Sequence, residues 1–188
     1  MKVLLFGATG TAGSGILQAC LQAPDVAEVR ALARRPLGAA HEKLKVFLHD
    51  DYLDFVMAAA AELRSGSPDA VLHFVSGEGT SLDSRFMWAR VKAETERDLA
   101  GVIATVCWRP AFIDGGSAVS GPRLYRALRP LFRLLRFARA LYVTSEDIGR
   151  AMLCATAEGT RRGVIVNAQI RALAERAREG ACTHTKAR

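Results

Sequence analysis

Three glycines near the amino terminus have the spacing of a phosphate-binding loop. They follow an apolar run, Val3 to Phe6, and precede a helical stretch. A pyrophosphate must approach backbone N–H groups and the positive end of a helix, and side chains at the glycine positions would hold it away. The pattern therefore predicts a dinucleotide-binding loop, with a glycine turn kept only for packing as the alternative. The residues assigned to this loop are Gly7, Thr9, Gly10, Thr11 and Gly13.

The residues after the second predicted strand indicate which dinucleotide is bound. An NAD site places an Asp or Glu about 20 residues beyond the loop, where it holds the ribose 2′-hydroxyl. Here that position is Ala33, and Arg34 and Arg35 follow it. Two guanidinium groups suit a 2′-phosphate, so the sequence favours NADP over NAD. A solvated turn is the alternative interpretation of the two arginines.

Strands and helices alternate along the chain, and this alternation must position the loop. It predicts a Rossmann-like, doubly wound parallel α/β sheet in a single domain over residues 1–179, with a mobile tail over 180–188. The predicted strands are 3–6, 26–33, 45–48, 70–75, 102–108 and 164–166. The predicted helices follow the loop and cover 55–63, 86–99, 123–141 and a stretch beginning at 145.

Composition narrows the class of protein. Of 188 residues, 50% are hydrophobic and 24% are charged, which excludes a disordered chain. The net charge of +7 indicates an anionic partner. No apolar run has the length of a signal peptide or a membrane span, so we expect a soluble protein. The wide spacing of the cysteines predicts neither a disulfide nor a metal site, and hence a cytoplasmic location. The cysteines are Cys20, Cys107, Cys154 and Cys182.

Further motifs follow the glycine loop in a recognisable order. They are the arginine pair, Asp51 after the third strand, Val75-Ser76-Gly77, the segment Met87 to Lys92, and Arg109-Pro110. Over about residues 1 to 175, the chain resembles the atypical short-chain dehydrogenase/reductases. It is most similar to bacterial NAD(P)-binding, epimerase-like members near the Tat-interacting oxidoreductases. The resemblance implies an oxidoreductase that moves a hydride between NADP and a small carbonyl-type substrate.

The same resemblance assigns roles to individual residues. Ser76 and Lys92 would lie nearest the chemistry, and Lys92 would also hold the nicotinamide ribose. Asp51 and Tyr52 would flank the adenine. The turn at Arg109-Pro110 would border the nicotinamide.

One departure from the family concerns the proton donor. The family places a Tyr four residues before the Lys, but this chain has Trp88 there. An indole N–H is no acid near neutral pH, and a missing general acid costs about 10²- to 10⁴-fold in rate. We expect Trp88 in the core or in a pocket wall, with Tyr125 or Tyr142 as substitutes for the donor. A non-catalytic NADP-binding or sensor protein, or a relative with an impaired cofactor site, is the alternative function.

A second departure concerns the sheet. After the third strand, the family supplies a fourth strand beside the first, followed by a helix. Here roughly one βα unit, about 30 residues, is absent. Either the strand at 70–75 occupies the vacant position beside the first strand, or the chain is a shortened relative that binds cofactor weakly.

An arginine-rich region lies between Arg123 and Arg139. Its six arginines recur every three or four residues, opposite a row of leucines. The resemblance implies a cover over a small-molecule substrate. A peripheral membrane or protein contact is the alternative. No nucleic-acid partner is expected, because no aromatic platform accompanies the arginines. The oligomeric state is not predicted.

Overall fold

The computed structural model describes residues 1–34, 36–48, 53–114 and 142–182. The strands are β1 (Lys2–Phe6), β2 (Glu28–Ala33), β3 (Leu44–Leu48), β4 (Leu72–Val75), β5 (Thr105–Arg109), β6 (Phe112–Asp114), β7 (Tyr142–Thr144) and β8 (Gly163–Val166). The helices are α1 (Thr11–Gln22), α2 (Leu53–Gly66), α3 (Met87–Val102), α4 (Ser145–Ala157) and α5 (Asn167–Arg178).

The strands form parallel sheets, which confirms the α/β class. One sheet has the order β1-β2-β3, a second has the order β4-β5-β8, and β6 pairs with β7. All these pairings are parallel. Parallel neighbours need crossovers, and helix α1 supplies the one between β1 and β2 while α3 supplies the one between β4 and β5. The predicted strands and helices that fall on described residues occur within a few residues of their expected bounds, whereas the predicted helix over 123–141 lies outside the described residues. The elements α5, β6 and β7 were not anticipated.

In the part of the chain that the structure describes, β1 has β2 as its only hydrogen-bonded neighbour. Within the described residues, no hydrogen-bonded ladder joins β1 to β4, so the expectation that residues 70–75 pair with the first strand is wrong. The reason lies in the packing of α2. Its buried Ala60 packs on Leu99 and Ile103 at α3, so the helix belongs to the second sheet. The shortened chain therefore keeps two separate half-sheets.

One hydrophobic core nevertheless joins the two half-sheets. It includes Leu5 and Val29 from the first sheet and Trp108 from the second. Helices α1 and α4 bridge them and approach closely through two glycines. A Cβ on Gly15 would lie 2.1 Å from Ser145 Oγ, and one on Gly149 would lie 2.6 Å from Ala19 Cβ. The closely packed helix pair thus connects the two half-sheets.

A disulfide joins Cys154 in α4 to Cys182 beyond α5, with 5.2 Å between their Cα atoms. The expectation that the cysteines are unpaired is wrong. The two residues are 28 apart in sequence and meet because α5 packs along α4, which no local motif reveals. Cys182 belongs to the expected mobile tail, whose mobility stays a prediction since residues 183–188 lie outside the described ranges.

Cys20 and Cys107 are free and buried. Burial raises the pKa of each thiol to about 11, so both are inert apolar groups. No helix in the described ranges is both long and apolar enough to cross a membrane.

Candidate functional site

The glycine loop connects β1 to α1 in a compact turn. Gly7 has a φ of +70°, and its carbonyl accepts the N–H of Gly10 at 2.9 Å. A Cβ on Gly13 would lie 2.0 Å from the Gly7 oxygen, so only glycine allows the helix to begin this close to the strand. The loop thus requires glycine at position 13 for packing.

The start of α1 fits a pyrophosphate. Gly10 caps the helix without a side chain, and the first turn, Thr11 to Ser14, carries no acidic residue. The backbone N–H groups and the positive helix end are therefore available to an anion. A Cβ on Gly10 would lie 3.3 Å from the Gly7 oxygen, which is a tight contact within the loop. These residues fit a dinucleotide.

Arg34 lies at the same edge as the glycine loop. β1 and β2 are parallel in register, so the residues after Phe6 and after Ala33 emerge at neighbouring positions. The side chain of Arg34 is exposed. Arg35, Asp51 and Tyr52 lie outside the described residues, so their assigned roles stay predictions.

Ser76 lies at the carboxyl end of β4 and is only 2% exposed. Its N–H donates to the carbonyl of Trp108 at 2.9 Å, which ties it to the neighbouring strand β5. Its hydroxyl donates to the carboxylate of Glu96. Ser76 therefore lies at the expected strand end, but its hydroxyl already donates its hydrogen bond to Glu96.

Glu96 and Arg109 form a paired charge beside Ser76. Arg109 donates from Nε to Oε1 at 3.1 Å and from Nη2 to Oε2 at 2.5 Å. The carboxylate raises the pKa of Arg109. The Glu96 side chain is only 9% exposed, so the pair compensates a charge that is costly to bury. Sequence reasoning missed Glu96, although its position four residues after Lys92 places it on the same helix face.

Lys92 connects α3 to the end of β4. Its ammonium donates to the carbonyl of Ser76 and lies 5.9 Å from the ring centroid of Trp88. Burial lowers the pKa of Lys92, and the negative charge of Glu96 opposes that effect. The structure thus brings together the two residues expected nearest the chemistry, Ser76 and Lys92.

Trp88 is 49% exposed and so lies outside the core, while the alternative of a pocket wall stays a prediction. It stacks with Phe86, with 6.3 Å between the ring centroids and 25° between their planes. Met87 and Val91 are also more than half exposed. Together, Phe86, Met87, Trp88 and Val91 form what we call the α3 apolar surface.

His73 holds β4, β5 and α4 together. Its Nδ1 accepts the indole N–H of Trp108 at 2.9 Å, and its Nε2 lies 3.0 Å from the hydroxyl of Thr156. Burial lowers the pKa of His73 to about 4, so the ring is neutral near pH 7. This agrees with a structural role.

Among the expected substitutes for the missing Tyr, Tyr142 is described. Its phenol donates to the carboxylate of Asp114. Tyr125 and the region from Arg123 to Arg139 lie outside the described residues. Thr144, by contrast, caps α4, because its hydroxyl accepts the N–H of Asp147 at 3.1 Å.

Curated relatives match much of the chain. Protein fmp52-1 of Aspergillus terreus is 30% identical over 163 residues, covering 64% of this chain and 70% of that protein. Protein fmp52 of Aspergillus fumigatus is 31% identical over 164 residues, with the same coverage. The alignments extend over 163 and 164 residues, which is more than 64% of the 188 residues of this chain. The relatives therefore contain residues within the aligned region that have no counterpart in this chain. That agrees with the shortened sheet.

Both relatives carry the designation mitochondrial in their names. This finding overturns the expectation of a cytoplasmic protein. The expectation rested on cysteines being unpaired and on the absence of a recognisable targeting segment, and neither observation distinguishes cytoplasm from an organelle.

Solved structures share the fold. The dTDP-glucose 4,6-dehydratase of Bacillus anthracis, determined with NAD, superposes with a TM-score of 0.61 at 13% identity, covering 88% of this chain and 74% of that chain. The Bordetella bronchiseptica enzyme WbmH, determined with NAD+, gives 0.59 at 18% identity, with coverage of 88% and 74%. These likenesses confirm a Rossmann-like architecture.

A sequence model of the NAD dependent epimerase/dehydratase family matches residues 3–122, which include the glycine loop, Ser76, Lys92 and Arg109. The match confirms the resemblance to atypical short-chain dehydrogenase/reductases, and an NAD(P)-binding, oxidoreductase-like function accompanies it. The chain belongs to the NAD dependent epimerase/dehydratase family.

Proposed function

We propose that the protein binds NADPH in preference to NADH and uses it to reduce a small carbonyl-type substrate. The observation that carries the proposal is the edge formed by the glycine loop and the end of β2. There, Arg34 follows directly after Ala33, where an NAD site has an acidic residue. A guanidinium at this place supports binding of a 2′-phosphate.

The chain's own residues supply binding and charge. A bound reduced nicotinamide would supply two electrons and a proton to the carbonyl carbon. The ammonium of Lys92 would stabilise negative charge on the carbonyl oxygen and would hold the ribose hydroxyls of the bound dinucleotide. The pair of Glu96 and Arg109 fixes the position of Ser76. Because the carbonyl of Ser76 accepts a hydrogen bond from the Lys92 ammonium, the pair also helps to orient Lys92.

Cofactor binding without turnover is the second candidate function. The observation that favours it is Trp88, which replaces the usual proton donor. It predicts NADPH binding with no consumption of NADPH in the presence of any carbonyl compound.

A fluorescence titration with NADPH and, separately, NADH tests the cofactor preference. We expect NADPH to bind more tightly, and Arg34→Ala to weaken NADPH at least tenfold without changing NADH, since a charge-assisted contact contributes about 1.5 to 3 kcal/mol. Arg30→Ala is the matched control: Arg30 is exposed on the same strand, but it pairs with Glu28. Equal affinities for both dinucleotides in the unaltered protein would refute the preference for NADPH.

Gly10→Asp tests the loop itself. A carboxylate at the start of α1 both fills the space and repels the pyrophosphate, so we expect binding of both dinucleotides to be lost. A far-ultraviolet circular dichroism spectrum identical to that of the unaltered protein is the control for folding. Retained NADPH affinity in a folded Gly10→Asp variant would contradict the proposed binding site.

We also propose a mitochondrial location, supported by the designation of the curated relatives. Fractionation of cells that express the tagged full chain tests it. Recovery of the protein with the mitochondrial fraction is expected, and recovery only in the cytosol would refute the proposal.

A further inference from the structure

The α3 apolar surface lies beside the proposed active site. Trp88 is linked to the site through Lys92, whose ammonium lies 5.9 Å from the indole centroid and donates to Ser76. Phe86 is 66% exposed and Met87 is 71% exposed. Large apolar side chains exposed together, next to a charged site, mark a binding surface for an apolar or aromatic molecule.

Proton donation distinguishes the substrates that this site can reduce. The hydroxyl of Ser76 donates to Glu96, and the hydroxyl of Thr80 donates to the carbonyl of Gly77 at 2.7 Å. The phenol of Tyr142 donates to Asp114. These three hydroxyls, all in the described part of the chain, therefore already donate to partners within the protein.

A carbonyl reduced without a proton donor must leave a stable anion. Reduction of a simple ketone leaves an alkoxide. Its conjugate acid, an alcohol, is about as weak an acid as water, whose pKa is about 15.7. Reduction of a quinone leaves the anion of a phenol, whose pKa is about 10. Stabilisation by a nearby cation is sufficient for the second anion, and Lys92 is such a cation.

We propose that the substrate is a quinone-type, planar conjugated dicarbonyl that binds against Phe86 and Trp88, with one oxygen directed to Lys92. The inference rests on the proposed function and names its substrate class. Two electrons and one proton pass from the reduced nicotinamide to the quinone, and the second proton comes from water. The nicotinamide is oxidised, and the quinone leaves as the hydroquinone.

Binding without cofactor is the first test. Isothermal titration calorimetry of the full chain with duroquinone, whose fully substituted ring does not add to thiols, should show saturable binding. Phe86→Ala should weaken that binding about tenfold, since aromatic contacts contribute specific energy beyond buried area. The matched control is Phe47→Ala on β3, because Phe47 is also an exposed phenylalanine, at 48%.

Turnover is the second test. We expect NADPH oxidation with duroquinone but none above background with cyclohexane-1,4-dione, which has the same ring and two carbonyls without conjugation. Trp88→Tyr, which restores a phenol four residues before Lys92, should bring reduction of the dione above background.

The outcomes separate this inference from the proposed function. If NADPH binds but duroquinone does not, the substrate class is wrong and the proposed cofactor site stands. If neither dinucleotide binds, the proposed function itself fails. Equal turnover of the dione and duroquinone by the unaltered protein would overturn the inference, because it would show that a proton donor is present. Loss of that dione activity in Tyr125→Phe would then identify the donor.

Discussion

The two half-sheets contribute to the site by different physical means. At the end of β1, the site is made of backbone, and three glycines keep side chains away from it. At the ends of β4 and β5, it is made of side chains, and Ser76, Glu96 and Arg109 satisfy one another's charge and hydrogen bonds. The structure of the first region therefore depends on the absence of side chains at the glycine positions. The structure of the second region depends on ion pairing and hydrogen bonding among its side chains. Substitutions in the two regions should consequently fail in different ways.

The largest expected effect tests the dependence on space. Gly13→Ala places a Cβ 2.0 Å from the Gly7 carbonyl, which forces α1 away from β1. We expect a loss of about 3 kcal/mol or more in the free energy of unfolding, because backbone cannot yield as a flexible side chain does. Urea denaturation measures this loss. Gly38→Ala is the control, since a Cβ there meets nothing within 4 Å, and equal stability losses in both variants would contradict the argument.

The next effect tests burial of a titratable group in the second region. The pKa of His73 is lowered to about 4 in the folded protein, from 6.5. Unfolded chains therefore bind more protons between these values, so the stability that is present above pH 6.5 declines as the pH falls towards 4. The decline amounts to about 3 kcal/mol. His73→Gln should flatten this part of the stability profile measured by urea denaturation between pH 7 and 4. An unchanged slope would show that other groups cause it.

A smaller effect is expected for the charge pair itself. Glu96→Gln keeps a hydrogen-bond acceptor for Ser76 but leaves the Arg109 cation without its counter-charge. We expect a loss of about 2 kcal/mol, below the full cost of breaking a buried pair because the Arg109 side chain is 29% exposed. Urea denaturation again gives the value. Glu94→Gln, at an exposed position on the same helix, is the control, and a matching loss there would refute a special role for Glu96.

The smallest effect is expected for a similar cluster of charges on the first sheet. Lys45 and Arg30 lower the pKa of Glu28 to about 2, through pairs at 2.7 and 2.5 Å. Water and salt screen these surface contacts, so Glu28→Gln should leave the unfolding midpoint unchanged within error. If Glu28→Gln lowered the free energy of unfolding as much as Glu96→Gln does, the proposed difference between the two regions would be contradicted.

The difference between the regions also explains what the sequence could predict. The glycine loop is contiguous and obeys a spacing rule, so its position and its relation to β1 and α1 follow from a short segment. Lys92 and Ser76 were identified only through family resemblance. The role of Glu96 depends on how α3 packs on the second sheet, because its partners, Ser76 and Arg109, follow β4 and end β5 and are distant from each other in sequence. Side-chain compensation of this kind depends on tertiary contacts that no local pattern encodes.

Two further errors have the same origin. The strand at 72–75 could have paired with β1 according to the sequence alone, but the packing of α2 on α3 decides that it does not. Cys154 and Cys182 have no recognisable spacing, and they meet only because α4 and α5 lie side by side. Element types were predictable from periodicity, while the pairing of elements depended on which surfaces were buried.

The disulfide has a topological consequence. Together with the backbone, it closes a covalent ring that contains the end of α4, the edge strand β8 and all of α5. A protease that cuts once inside this ring leaves the chain in one piece, so a nick becomes visible only on a reducing gel. Tension applied at the carboxyl terminus likewise reaches α4 through the sulfur atoms and does not peel α5 away from its end.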